Sequence, residues 1–196
     1  MIFAGPRKGL RSLPCALIVG DEGNCYFSRD GGWIGRYSPE SGKLETLKAR
    51  LPGEFYTLHA GFDIYHPVVE CWTKGARGVL YGGTNDGFLF KFIPSQERAE
   101  NLGKVRITRR VRALATAADG RIYGVAGERH IGCTLFSYDP RNGAFEHHGP
   151  LEVDRSPYYA WNPYNFGAMT TGLDGTIYIG EEERKGHLFL FIPLSR

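Results

Sequence analysis

A chain of 196 residues with 42% apolar side chains carries enough hydrophobic material for a packed core, which excludes an intrinsically disordered polypeptide. Its formal charge of +3, from 24 Lys and Arg against 21 Asp and Glu, is too even for a nucleic-acid-binding face. The one basic cluster, Arg106, Arg109, Arg110 and Arg112, reads as ordinary solvated arginines near a strand start, and no apolar run approaches the roughly 18 residues of a membrane span. Neither nucleic acid nor membrane is therefore expected as a partner.

Glycine is 27 of 196 residues, well above the usual share of about 7%, and long stretches of helical period are missing. That combination predicts an all-β chain with many tight turns. The first residues, Met1 to Lys8, hold no apolar run long enough for a signal peptide, so a soluble protein is expected and its compartment is left open. Cys15, Cys25, Cys71 and Cys133 share no metal or redox spacing, three of them sit inside apolar or alternating runs, and buried free thiols are expected.

A repeat runs through the chain. Gly23-Asn24-Cys25-Tyr26-Phe27 leads to Tyr37-Ser38-Pro39, and Gly78-Val79-Leu80-Tyr81-Gly82 leads to Phe92-Ile93-Pro94. Asp119-Gly120-Arg121-Ile122-Tyr123-Gly124 then leads to Tyr138-Asp139-Pro140, and Asp174-Gly175-Thr176-Ile177-Tyr178 to Phe191-Ile192-Pro193. The spacing from tyrosine to proline is 13 (26 to 39), 13 (81 to 94), 17 (123 to 140) and 15 (178 to 193), as for a constant hairpin with a variable loop. Each copy parses into four short strands, A to D. In the third they are 112–117, 121–126, 133–138 and 144–148, with Asp-Gly and Asn-Gly turns between A and B and between C and D.

Four strands per period of about 40 to 50 residues predict a β-propeller with four blades of four antiparallel strands, at about 11–51, 67–104, 110–151 and 166–196 in one domain. The fourth copy lacks a D strand. Phe3-Ala4-Gly5-Pro6 resembles His147-His148-Gly149-Pro150, so residues 2–6 are expected to supply that outer strand. The alternative is that the chain is the C-terminal part of a larger propeller, with self-association if the propeller is incomplete.

In such a fold the D-to-A and B-to-C connections share one face. Two D-to-A connections are long. Residues 53–66 carry His59, Asp63, Tyr65 and His66, and residues 152–166 carry Arg155, Tyr158, Tyr159, Trp161, Asn162, Tyr164 and Asn165. Rings beside amides and imidazoles suit an oligosaccharide or polysaccharide, because rings stack on C–H faces while polar groups take the hydroxyls. Among the B-to-C loops, His130 stands at the channel mouth and can carry a proton near neutral pH, whereas 181–185 reads as charged solvated surface. Gly31-Gly32 and Gly82-Gly83 read as hairpin turns without a following helix, so no nucleotide cofactor is expected. His59, His66 and Glu70 lack metal-ligand spacing, so no metal is assigned.

These Asp-Gly-x-Ile-Tyr and aromatic-x-Pro patterns resemble the kelch, YVTN and WD-repeat-like propellers. The aromatic-x-Pro strand end and Arg155-Ser156-Pro157-Tyr158-Tyr159 resemble bacterial seven-bladed propellers associated with polysaccharide breakdown, including lyases. The resemblance implies β-elimination on a uronate-containing glycan, with Arg112 or Arg155 offsetting the carboxylate, His59 or His66 as base, and Tyr65 or Tyr164 as acid. A hydrolase would need two opposed carboxylates, and Glu70 and Asp63 have no clear opposite partner. A glycan-binding or protein-interaction module without catalysis is the alternative.

Overall fold

The computed structural model describes residues 16–53, 56–57, 64–105, 110–128, 132–152, 163, 165–182 and 186–193. Among these there is no α-helix. Strands are interrupted by three 3₁₀ turns, Asp30–Gly32, Ala76–Gly78 and Pro94–Gln96. Blade I comprises β1 (Leu17–Val19), β2 (Cys25–Arg29), β3 (Trp33–Ser38) and β4 (Lys43–Arg50), after which β5 (Tyr56–Thr57) and β6 (Ile64–Tyr65) pair in the connection to the next blade. Blade II comprises β7 (Val69–Lys74), β8 (Leu80–Thr84), β9 (Phe88–Ile93) and β10 (Arg98–Lys104). Blade III comprises β11 (Val111–Thr116), β12 (Ile122–Glu128), β13 (Gly132–Asp139) and β14 (Ala144–Pro150), and blade IV β15 (Phe166–Thr171), β16 (Ile177–Glu181) and β17 (Leu188–Phe191). Each sheet is an antiparallel meander in sequence order.

Pairing registers make the repeat physical. Tyr26, Tyr81, Tyr123 and Tyr178 are each the second residue of the second strand. The residue before each one faces the aromatic of the aromatic-x-Pro motif: Cys25 faces Tyr37, Leu80 faces Phe92, Ile122 faces Tyr138 and Ile177 faces Phe191. The Asp-Gly turns close by a common device. Asp119 Oδ1 accepts from the Arg121 amide and Asp174 Oδ1 from the Thr176 amide, both at 3.0 Å, while Gly120 and Gly175 supply φ of +84° and +83°.

The blades fan out from their first strands, with β7 packed on β1, β11 on β7 and β15 on β11. Threonines tie these inner strands together. Thr116 Oγ1 donates to the Lys74 carbonyl at 2.5 Å, and Thr171 Oγ1 donates to the Thr116 carbonyl at 2.9 Å. Three apolar clusters fill the three junctions between neighbouring sheets. In each, the tyrosine of one blade (Tyr26, Tyr81 or Tyr123) shares a cluster with the strand-B residue before the tyrosine of the next (Leu80, Ile122 or Ile177).

Gly82 and Gly83 are not turn residues. They lie in the middle of β8, where a Cβ on Gly82 would run into the Phe90 ring and one on Gly83 into Val111 of the next blade. Part of the glycine excess therefore serves close packing of rings and blades. Gly124 receives the Phe136 ring in the same way, and in blade I the roles are exchanged, with the Phe27 ring over Gly35. Residues 2–6, expected as an outer strand, lie outside the described residues.

Because Phe90, Phe136 and Val111 are fully buried, none can yield cheaply to an added methyl. Gly82→Ala, Gly83→Ala and Gly124→Ala should each destabilise the fold by about 1–3 kcal/mol in urea melts, as overpacking does. Acid should loosen the turns as well. Hydrogen bonds from the Arg141 side chain and amide hold the Asp139 carboxyl down to about 2, and those from Thr176 lower that of Asp174. A carboxyl depressed in the folded state stabilises above its unfolded value of about 4 and loses that effect as pH falls toward 2. Asp139→Asn should therefore flatten the pH dependence of the melting temperature between about pH 4 and pH 2.

Candidate functional site

Hydrogen bonds establish which loops share a face. The Leu51 amide donates to the Gly32 carbonyl at 2.7 Å, the Arg110 amide to the Asn85 carbonyl at 3.1 Å, and the Glu182 amide to the Asn165 carbonyl at 2.9 Å. Each bond joins a residue of a D-to-A connection or its margin to one of a B-to-C turn or its margin. The two loop sets form one surface at the mouth of the fan.

Geometry there follows from a repeated irregularity. The inner strands are bulged at their starts, between Val69 and Cys71, Val111 and Ala113, and Phe166 and Ala168, so Glu70, Arg112 and Gly167 are the extra residues at three equivalent places. Glu70 and Arg112 are thereby set at the mouth. Glu70, whose side chain is 11% exposed, accepts from Arg110 Nε at 2.8 and 3.0 Å through its two carboxylate oxygens. Arg110 has a left-handed backbone with φ of +68°, held by its amide bond to Asn85 and by the Gly127 amide donating to its carbonyl at 3.0 Å. Arg110 is thus engaged across the blades, although its side chain keeps 43% of its surface exposed.

Arg112 differs from its neighbour: its Nε is buried and has no hydrogen-bond partner. The guanidinium lies close enough to Cys133 to lower the thiol's pKa, although burial dominates and pushes that thiol up to about 12. Cys133 shares an apolar cluster with Phe166, and Phe166 pairs in register with Glu181. Arg112 and Glu181 therefore both border the junction of blades III and IV.

Glu181 was expected on a solvated loop. It is instead buried, with its carboxylate fully covered, and it accepts a close hydrogen bond from His187 Nδ1 and a second from the His187 amide at 3.2 Å. A carboxylate loses so much hydration on burial that it is tolerated only when paired. The histidine side chain keeps 31% of its surface exposed. A histidine whose Nδ1 proton is held by a carboxylate keeps Nε2 as its accepting nitrogen, an arrangement suited to general-base work. Beside it, Asn165 Nδ2 donates to Glu182 Oε2 at 3.2 Å.

Of the expected site residues, Arg112 and Asn165 border this III–IV junction. His66 does not. It is mostly buried against blade I, with Nε2 3.9 Å from Asp30 Oδ1 in the first B-to-C turn. Tyr65 lies in β6, paired with Tyr56. His59, His130, Arg155, Tyr158, Tyr159, Trp161, Asn162 and Tyr164 lie outside the described residues. His187 was missed, although the register offered it: extending the Tyr178–Leu190 pairing up the ladder puts Glu181 opposite His187. Among the described residues no group of three or more His, Cys, Asp or Glu could hold a metal ion.

Cys71 is buried, its Sγ donating to the Val111 carbonyl at 3.2 Å, and burial raises its pKa well above that of a free thiol. Since the thiolate is the reactive form, native protein at pH 8 should leave Cys71 and Cys133 unmodified by a disulfide thiol reagent and release both after unfolding in guanidinium. Mass spectrometry of labelled peptides reads this directly.

No protein-family model matches the sequence, and no curated protein matches it. Solved structures do resemble it in shape. Virginiamycin B lyase from Staphylococcus aureus superposes with a TM-score of 0.59 at 12% identity, over 91% of this chain and 55% of that one. A histidine-to-alanine variant of the same lyase, described as catalytically inactive and crystallised with quinupristin, gives 0.58 at 12% identity over 97% and 58%. The extracellular domain of a hybrid two-component system from B. thetaiotaomicron gives 0.63 at 19% identity, over 94% of this chain and 22% of that one. The chain thus spans little more than half the length of the lyase. At these identities the likeness is one of fold, and the chain is an all-β protein of propeller architecture with no helix long and apolar enough to cross a membrane among its described residues.

Proposed function

We propose that this chain is a carbohydrate-active propeller that takes a carboxylate-bearing glycan at the mouth of the III–IV junction and cleaves it by β-elimination. The observation that carries this reading is the pairing, at one junction, of an arginine whose Nε is buried without a partner and a histidine held by a buried carboxylate. Arg112 offsets the substrate carboxylate and so acidifies the adjacent C–H. His187 takes that C5 proton, the C4–O bond breaks with its electron pair leaving on oxygen, and a C4=C5 double bond forms. The leaving oxygen is protonated by an acid, for which Tyr164 remains the residue suggested by sequence. Tyr158, Tyr159, Trp161 and Asn162, and with them Arg155 and His130, remain the residues the sequence suggests for stacking and hydroxyl contacts.

His187 replaces His59 and His66 as the base in this reading, because it has the orienting carboxylate. A second reading is a glycan-binding or protein-interaction propeller without turnover. It is favoured by the engagement of Arg110 with Glu70, which spends one of the mouth's cations on holding blades together.

Incubation with uronate-containing polysaccharides should yield unsaturated products absorbing in the near-ultraviolet. His187→Ala should lower that rate by about 10²–10⁴-fold, as loss of a general base does. Arg112→Ala should weaken binding of uronate oligosaccharides by about tenfold or more, the worth of a charge-assisted contact. Binding that depends on Arg112 without any product selects the non-catalytic reading. Absence of both binding and product across a glycan panel rules out a carbohydrate ligand.

A further inference from the structure

The three blade junctions are built by one rule: the face of a blade that carries its tyrosine packs against the opposite face of the next blade. The registers identify each position's counterparts. Leu188, opposite Gly180 in blade IV, is equivalent to Leu89, opposite Gly83, and to Leu135, opposite Val125. Ile34, opposite Ser28, occupies the same place in blade I. Ile34, Leu89 and Leu135 are 0%, 0% and 3% exposed, whereas Leu188 is 60% exposed. Its neighbour two residues on, Leu190, stands where blades I to III have Arg36, Lys91 and Ser137, and it is as exposed as Leu188.

Blade I shows the complementary defect. Leu17, opposite Phe27, is equivalent to Trp72, Leu114 and Met169, each packed into the junction with the preceding blade. Leu17 is 62% exposed. Leu44, opposite Tyr37, corresponds to Ala99 and Phe145, which also pack into junctions, and it too is exposed. Among the described residues one molecule therefore bears both halves of a fourth junction, the leading half on blade IV and the receiving half on blade I, and the leucines of both halves are exposed.

We propose that these two faces are covered by a second copy of this chain, so that two four-bladed arcs close into one ring of eight blades. Blade IV of each copy packs on blade I of the other. The complementarity is that of the three junctions inside the chain, with a branched aliphatic side chain, Ile34, Leu89 or Leu135, at the Leu188 position of each. Two copies related by a two-fold axis bury all four open faces and leave none over, as closed symmetry requires. Eight blades lie within the range that propellers adopt. The exposed side chains are leucines, which belong in a junction rather than in water.

Sedimentation of the purified chain at micromolar concentration should give a species of twice the chain mass. Leu188→Arg and Leu17→Arg should each convert it to monomer. Both positions are exposed in the single copy, so each variant should keep the wild-type circular dichroism and a cooperative thermal transition, with a melting temperature below that of the dimer, which checks for unfolding. Mixing the two variants should restore a dimer through one junction of unaltered faces, Leu188 of the Leu17→Arg chain meeting Leu17 of the Leu188→Arg chain. A monomeric wild-type protein would overturn the proposal, as would an open series of larger species growing with concentration. A dimer indifferent to both substitutions, or a mixture that stays monomeric, would overturn it equally.

Discussion

A four-stranded sheet has two faces, and in this chain neither face can be left to water, because both carry large apolar side chains. That constraint organises everything else. Each blade must find a neighbour on either side, and the match between a tyrosine-bearing face and the opposite face of the following blade is what stacks the sheets around an axis. Fine adjustment comes from rings and glycines that share space. Phe90 over Gly82 and Phe136 over Gly124 bring the second and third strands flush, and the bare backbone of Gly83 admits Val111 of the next blade. Packing at this density leaves each sheet one docking position, since volume is conserved to within a methyl group.

The same constraint shapes the mouth. Inner strands that must both pack and begin at the surface are bulged at their starts, and the bulge puts a residue of free identity where a ligand could reach it. Glu70 and Arg112 occupy two such places, and their fates diverge. Glu70 is paired with Arg110 across the II–III junction, while the Arg112 Nε has no partner. At the III–IV junction the burial of Glu181 beneath its own turn fixes the orientation of His187. Chemistry at this face is thus a by-product of how sheets meet, with structural ion pairs and candidate site residues drawn from the same positions.

Virginiamycin B lyase and the extracellular domain of the two-component system share this architecture at 12% and 19% identity, which is expected of a fold whose requirement is a pattern of faces rather than particular residues. In blade I the ring and the glycine have exchanged strands, Phe27 covering Gly35, and the junction is still filled. A repeat that tolerates such an exchange keeps its register longer than its residue identities. Register, accordingly, was the more informative guide to equivalent positions.

The sequence by itself determined the all-β class, the four copies and the equivalence of the four tyrosines, because hairpin turns and two-residue alternation are local and leave a readable period. It placed the strands of the third blade to within about two residues at each end, as the observed strands Val111–Thr116, Ile122–Glu128, Gly132–Asp139 and Ala144–Pro150 attest. It also anticipated that the D-to-A and B-to-C connections meet. What it misjudged were questions of burial. Glu181 followed by Glu182, Glu183, Arg184 and Lys185 looks solvated because composition averages over a loop, and only the fold turns that single carboxylate inward to His187. Gly82-Gly83 looks like a turn because glycine's freedom is the commoner reason for a pair, and only a ring from the neighbouring strand and a valine from the neighbouring blade reveal that the missing Cβ is the point. The partition of the arginines, Arg110 engaged by Glu70 and Arg112 with an unpartnered Nε, depends on contacts between residues about 40 positions apart, and such contacts exist only once the sheets have stacked.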